Sequence, residues 1–253
     1  MIMEVDVQFQ ERCSRSLSGS GRSAVEIARY LSALELLAPY RRFLRGRVLD
    51  FGASYGLSML ALTALGVEEV WGVEPCPDRV RAGHDLLTGL GMVGTRLQHV
   101  PDTLAIPWPD EAFDSILALA VFEHIPQPRH GYFGELWRLL KPGGHLLIAE
   151  TPNPYFPIDM HTTGLPFVPW LPSRVAHAVG QRWGRNPTWY NTPEKWRASG
   201  WRGMGFYELA GAIPGDFEVI HQNTRLRHAV LKQLGLFPGL VDPYPFYVLR
   251  KRS

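Results

Sequence analysis

The stretch VLDFGASYG, Val48 to Gly56, constrains the fold of this chain more than any other segment. Val48-Leu49-Asp50-Phe51 reads as a buried strand and Gly52 to Gly56 as a turn, while Leu57, Leu60, Ala61, Ala64 and Leu65 mark a helix that stops at Gly66. A strand that passes through glycines straight into a helix brings backbone N–H groups close to a ligand with no side chains in the way. The alternation continues downstream. Glu69 to Glu74 is a second strand and Asp78 to Leu90 a second helix ending at Gly91; Thr95 to Val100, Phe113 to Leu119 and His145 to Glu150 are further strands. A helix around Tyr132 to Leu140 is closed by Lys141-Pro142-Gly143-Gly144, which cannot continue it. Regular strand–helix alternation implies parallel strands joined by right-handed crossovers, hence an α/β, doubly wound sheet.

The flanks read differently. The first 20 or so residues are polar and Ser-rich, a loose lead-in. Ala24, Ile27, Ala28, Leu31, Leu34 and Ala38 form an apolar stripe at helical spacing, closed by Pro39, so residues 1–45 are expected to be a helical lid segment or a dimer surface. After Glu150 prolines accumulate, and five of the eight tryptophans sit at 170, 183, 189, 196 and 201, so 151–201 reads as an insertion. Beyond it come a helix near 204–212, a strand at 217–221, a helix near 226–234 and a last strand at 246–250. The expected organisation is one sheet-centred domain, 46–253, carrying that insertion.

The two cysteines, Cys13 and Cys76, form neither a metal-ligand spacing nor a disulfide framework, and a reducing cytoplasm is expected. The longest dense apolar stretch, Ile116 to Phe122, is far short of the roughly 20 residues of a membrane helix. The acids early in Met-Ile-Met-Glu-Val-Asp do not suit a secretory signal. Residues 1–150 hold 14 Lys and Arg against 18 Asp and Glu, whereas residues 151–253 hold 12 against 6, so the basic half is the one with the insertion.

Glu74 lies 24 residues after Asp50 at the end of the second strand. An acid about 20 residues downstream of a glycine turn is where dinucleotide-binding folds hold a ribose diol. Together with motifs further along the chain, the segment resembles the first motif of class I S-adenosylmethionine-dependent methyltransferases. Glu74-Pro75 is similar to that family's acid after strand two, and Asp102 in HVPDTLAIPWPD to its acid after strand three. ILALAVFEHIP after Phe113-Asp114-Ser115, and LLKPGGHLLIAETPN, resemble the ubiquinone- and menaquinone-biosynthesis-type members. The resemblance covers roughly residues 46–153 and implies a Rossmann-like sheet of seven mostly parallel strands, with S-adenosylmethionine as cofactor. It also implies roles: Asp50 near the amino group, the backbone of Gly52 and Ala118 beside the methionine part, Glu74 on the ribose and Asp102 on the adenine. Ala53, Ser54, Gly56, Pro75, Thr103 and Leu119 complete the cofactor set. The family usually has glycine where Ser54 stands.

That serine opens an alternative. Gly52-Ala53-Ser54-Tyr55-Gly56 also satisfies G-x-S-x-G, the nucleophile elbow of serine hydrolases, although no HGGG-type oxyanion segment and only a mostly helical stretch precede it. A third reading is a non-catalytic subunit that binds the cofactor without turnover.

For methyl transfer the protein must align an acceptor, and a hydroxyl acceptor benefits from a base. His124, after the fourth strand, and His161, where the insertion begins, are the candidates. The insertion is expected to form the acceptor pocket. Phe156, Leu165, Phe167, Val168, Trp170 and Leu171 are too apolar for a free loop and either pack on a core or line that pocket. Between Met160 and Tyr207 the only acid is Glu194, against Arg174, Arg182, Arg185, Lys195, Arg197 and Arg202. This suits a small apolar acceptor with an anionic group, such as a natural product, quinone or lipid-linked precursor, and peripheral contact with a membrane. No nucleic-acid recognition motif occurs. No metal is expected, because no ligand cluster surrounds Glu150 and Asn153 in sequence.

Overall fold

The computed structural model describes residues 24–90, 96–222 and 242–252, together with Glu11, Arg15 and Gln233. The strands are β1 (Arg47–Phe51), β2 (Glu69–Glu74), β3 (Leu97–His99), β4 (Phe113–Leu119), β5 (Leu140–Ala149), β6 (Phe217–Gln222) and β7 (Tyr247–Lys251). The helices are α1 (Ala24–Leu37), α2 (Leu57–Ala64), α3 (Pro77–Gly89), α4 (His130–Leu139), α5 (Ser173–Trp183), α6 (Pro193–Ala198) and α7 (Phe206–Ala212). One mostly parallel sheet takes the strands in the order β3-β2-β1-β4-β5-β7-β6. β1 pairs in parallel with both β2 and β4, and β2 with β3. The chain builds outward from β1 on one side and from β4 on the other, and such a switch creates the crevice at which doubly wound sheets bind ligands. Among the described residues no helix is long and apolar enough to cross a membrane.

The chain divides into two compact units. Of the described residues, the first comprises those within 1–119, 135–146 and 251–253, and the second those within 120–134 and 147–250. In the first, Val48, Leu49, Asp50 and Phe51 of β1 are all buried, as a strand with a parallel neighbour on each side requires. α2 packs over this sheet through Leu57, Met59, Leu60, Ala61, Leu62 and Ala64. Gly72 makes that packing possible: a Cβ there would come within 2.9 Å of the Ala53 Cβ and closer still to the Met59 sulfur. α1 packs on α2. Its buried face is Tyr30, Ala33, Leu34 and Leu37, one step round from the stripe read in the sequence, and Leu31 is exposed. The aromatic body of Tyr30 outweighs the smaller residues that defined that stripe, because burial follows apolar area.

The second unit has its own apolar centre within 151–201. Val168, Ala176, Tyr190, Trp196 and Trp201 are buried together, with Leu165, Leu171 and Val179 against them. Trp196 stacks on Trp201 at 4.9 Å between ring centres and on His177 at 5.2 Å. The five tryptophans therefore split: 196 and 201 are core, while Trp170, Trp183 and Trp189 are exposed. Arg129 anchors a neighbouring turn, donating to the Ile125 and Gly203 carbonyls and pairing with Glu208 at 2.7 Å.

Several boundaries differ from the sequence reading. Lys141-Pro142-Gly143-Gly144 does end α4, but the chain leaves it directly as β5 from Leu140, with Gly143 at φ +77°. The insertion, expected as an aromatic, basic segment with no helix assigned to it, contains α5 and α6, the latter capped by Thr192 Oγ1 accepting from the Lys195 N–H. The helix read near 226–234 lies, apart from Gln233, outside the described residues. Because Trp196 is the centre of the insertion's core, Trp196→Ala should cost about 3–5 kcal/mol in urea unfolding. A loss below about 1 kcal/mol would mean that this core does not hold the segment.

Candidate active site

The first unit collects the residues expected around the cofactor, and its geometry begins with Glu74. This carboxylate is buried at the end of β2; Oε2 accepts from the Ser54 N–H and Oε1 from the Cys76 N–H, both at 3.0 Å. Gly52 and Ala53 N–H both donate to the Val73 carbonyl at 2.9 Å, so the whole turn after β1 is fastened to the end of β2. The turn alternates through left-handed backbone: Gly52 at φ +78°, Ser54 at +50° and Gly56 at +80°. Only Ser54 carries a side chain in that region, which explains physically why a glycine suits its position.

Asp50, fully buried in β1, accepts a 2.5 Å hydrogen bond from Ser58 Oγ in the first turn of α2. Burial pushes its carboxyl up to about 7; the Ser58 hydrogen bond opposes this and the negative charge of Glu74 adds to it. Ser58 is a site residue the sequence reading missed. The signal was available, since the first turn of a helix that leaves a strand end faces back over that end.

Asp102 and Thr103 lie in the loop after β3. Asp102 Oδ1 accepts from the Leu104 N–H at 2.9 Å, and the loop is pinned by α4. Glu135 Oε1 accepts from the Ile106 N–H at 2.7 Å, and Arg138 donates to the Trp108 and Ile106 carbonyls. Pro75 is exposed, with its carbonyl 3.1 Å from His99 Nε2. Ala118 is buried and Leu119 half-buried at the end of β4. The first unit thus holds Asp50, Gly52, Ala53, Ser54, Gly56, Glu74, Pro75, Asp102, Thr103, Ala118 and Leu119 together, at or just beyond the carboxyl ends of four strands.

The second unit brings His124 and His161 together, ring centres 5.8 Å apart. Between them stands a residue the sequence reading passed over. Glu123 has a side chain with no exposed surface; Oε2 accepts from Thr151 Oγ1 at 3.1 Å, and Oε1 lies 3.7 Å from His124 Nε2. Burial pushes the Glu123 carboxyl up to about 7, His124 acting in the opposite direction. Burial also holds His161 below its ordinary value, and His124 adds to that. Of the insertion's apolar residues, Val168 packs in the core, Leu165 and Leu171 lie against it, and Phe167 and Trp170 are exposed. A cavity of about 350 Å³ opens beside Trp170, walled by Pro154, Tyr155 and Pro169 and edged by Gln127, Arg202 and Glu208.

Known proteins are similar to part of this chain in sequence and to its fold. The methyltransferase domain family matches residues 49–148, the segment from β1 through β5. Residues 49–148 are therefore similar to methyltransferase domains. The demethylmenaquinone methyltransferase of Clavibacter sepedonicus is 32% identical over 113 residues, 44% of each chain. The ubiquinone biosynthesis O-methyltransferase of Xanthomonas euvesicatoria pv. vesicatoria is 32% identical over 118 residues, 46% of this chain and 47% of that one. The chain therefore spans about half the length of the curated relatives it matches. A SAM dependent methyltransferase from Aquifex aeolicus has the same fold, with a TM-score of 0.51 at 18% identity, covering 86% of this chain and 88% of that one. The match to the methyltransferase domain family favours that reading of GASYG over the serine-hydrolase one.

The raised Asp50 carboxyl has a defined sign in stability. The folded state keeps its proton up to about pH 7, while the unfolded state gives it up near the ordinary value of 3.8. Stability contributed by this group is therefore complete in acid and is lost as pH rises to about 7. Asp50→Asn, which cannot ionise, should gain in Tm relative to the parent from pH 4 to pH 7 and hold that gain above. A difference independent of pH would show that Asp50 ionises normally.

Proposed function

We propose that this chain transfers a methyl group from S-adenosylmethionine to oxygen or carbon of a small, largely apolar acceptor. The observation that carries this reading is the pair of buried carboxylates, Asp50 and Glu74, at the ends of adjacent parallel strands under one glycine-containing turn. A ligand bearing an ammonium group fits there, since burial penalises an ionised Asp50 and a cation beside it lifts the penalty. Each Glu74 oxygen accepts one backbone N–H; Oε1 also faces the Arg79 guanidinium at 3.7 Å, and Oε2 keeps a lone pair for a ribose hydroxyl. Asp102 would accept from the adenine amine, and the backbone of Gly52 and Ala118 would flank the methionine part. Ala53, Ser54, Gly56, Pro75, Thr103 and Leu119 would make up the rest of the cradle. When bound, the cofactor supplies an electrophilic methyl on a sulfonium, so the protein's own task is alignment and exclusion of water.

The acceptor falls to the second unit. The cavity beside Trp170 is of small-molecule size, with apolar walls and a few polar groups, which supports a quinone, natural-product or lipid-linked acceptor. His124 and His161 act on its reacting group. Exposed Trp183 and Trp189, near the basic side chains of Arg182 and Arg185 in sequence, support peripheral contact with an anionic membrane surface. A cytoplasmic location belongs to the same reading.

The test is transfer of labelled methyl from S-adenosylmethionine to a panel of reduced quinones and phenols. Product should form on at least one, and His161→Ala should lower kcat/KM by about 10² or more. Cofactor binding with no product on any acceptor would favour a non-catalytic subunit, and an unchanged kcat/KM in the variant would remove His161 from the acceptor site.

A further inference from the structure

The polar cluster of the second unit has features that proton transfer does not require. Glu123 Oε1 is buried and has no hydrogen-bond partner, whereas Oε2 of the same carboxylate is held by Thr151. A buried acceptor left open is costly unless something fills it. His124 Nδ1 lies 2.9 Å from the Ala198 carbonyl, which can only accept, so Nδ1 carries the hydrogen and Nε2 of the neutral ring keeps its lone pair. That lone pair is on the Glu123 side. The backbone N–H groups of His161 and Thr162 donate to Asp159 Oδ1, at 3.1 and 2.8 Å, and that carboxylate fixes the loop from which the His161 ring projects. One ligand atom from each of Glu123, His124 and His161 falls within 4.8 Å of the other two.

The backbone also approaches the cluster closely. Gly200, at φ +78°, lies against it; a Cβ there would sit 2.9 Å from Glu123 Cγ and 3.1 Å from His161 Cδ2. A side chain at 200 would push apart the two ligands that converge. Hydrogen-bonded histidine and carboxylate ligands are the usual outer support of a metal ion: here Ala198 orients one ring and Thr151 one carboxylate.

We propose that Glu123, His124 and His161 form a binding site for a divalent transition metal of the zinc class, with coordination positions left for an oxygen of the acceptor. Two imidazoles and one carboxylate suit zinc, and three protein ligands are the pattern of sites that keep a position open. Around an ion with bonds of about 2.1 Å the ligand atoms stand roughly 3–3.5 Å apart, so small side-chain rotations close the site. The ligands come from two segments distant in sequence, which is why the sequence alone predicts no metal there. The ion's role toward the acceptor rests on the methyl-transfer reading; its binding does not.

The test uses tag-free, chelator-treated protein titrated with Co²⁺ and read by visible absorption, followed by Zn²⁺ competition. One equivalent should bind with a d–d band that zinc displaces. Affinity should fall at least about 100-fold in both Glu123→Gln and His161→Ala, with the metal-free Tm of His161→Ala close to the parent's. No saturable binding, or binding unaffected by both variants, would overturn the proposal. Titration of the same preparation with S-adenosylhomocysteine separates the two claims. Cofactor binding without cobalt binding removes the metal site alone, and cobalt binding without cofactor binding leaves the site and removes the methyl-transfer reading.

Discussion

The first unit depends on Glu74 holding the turn after β1. Its two oxygens take the N–H groups of Ser54 and Cys76, and the Val73 carbonyl beside it takes those of Gly52 and Ala53. These are backbone donors at a buried position, where an unpaired N–H or an unpaired carboxylate would each be costly. Each therefore requires the other. With the turn fixed, α2 starts at a fixed point, Ser58 reaches Asp50, and the β1–β2 register sets Asp50 opposite Gly72. The turn after β1 and the start of α2 are thus set by the same few hydrogen bonds.

Strain is stored beyond strand ends in each unit. Ser54, Ala120 and Glu150, just beyond β1, β4 and β5, all hold positive φ without being glycine. Each such residue costs about 1–3 kcal/mol and persists where its surroundings over-determine it, commonly at functional sites. Ala120 shows one such restraint, its N–H donating to the Ala149 carbonyl at 3.0 Å. These strained positions are invisible to composition or periodicity.

The parts of the fold legible in the sequence are those governed by local physics. Apolar runs of strand length, most of them closed within a few residues by glycine or proline and continued by an amphipathic stretch, are enough to specify the doubly wound pattern, because both signals lie within ten or so residues. The face of α1 differs at Leu31 because an apolar count ignores size, and Tyr30 is the larger group. α5 and α6 are hidden by the prolines around them, although Pro193 sits in the first turn of its helix, where a missing N–H costs nothing. Glu123 escapes notice because an acid beside a histidine looks solvent-facing. Its burial is decided by Thr151 and by the bare backbone of Gly200, contacts between segments far apart in the chain.

The central claim is that the paired carboxylates of β1 and β2 bind the cofactor. Calorimetric titration with S-adenosylhomocysteine, run on the parent and on Glu74→Gln, tests it most directly. The account predicts one site of micromolar affinity in the parent, weakened at least about tenfold, or about 1.4 kcal/mol, in the variant. No binding to the parent, or equal binding to both proteins, would contradict it.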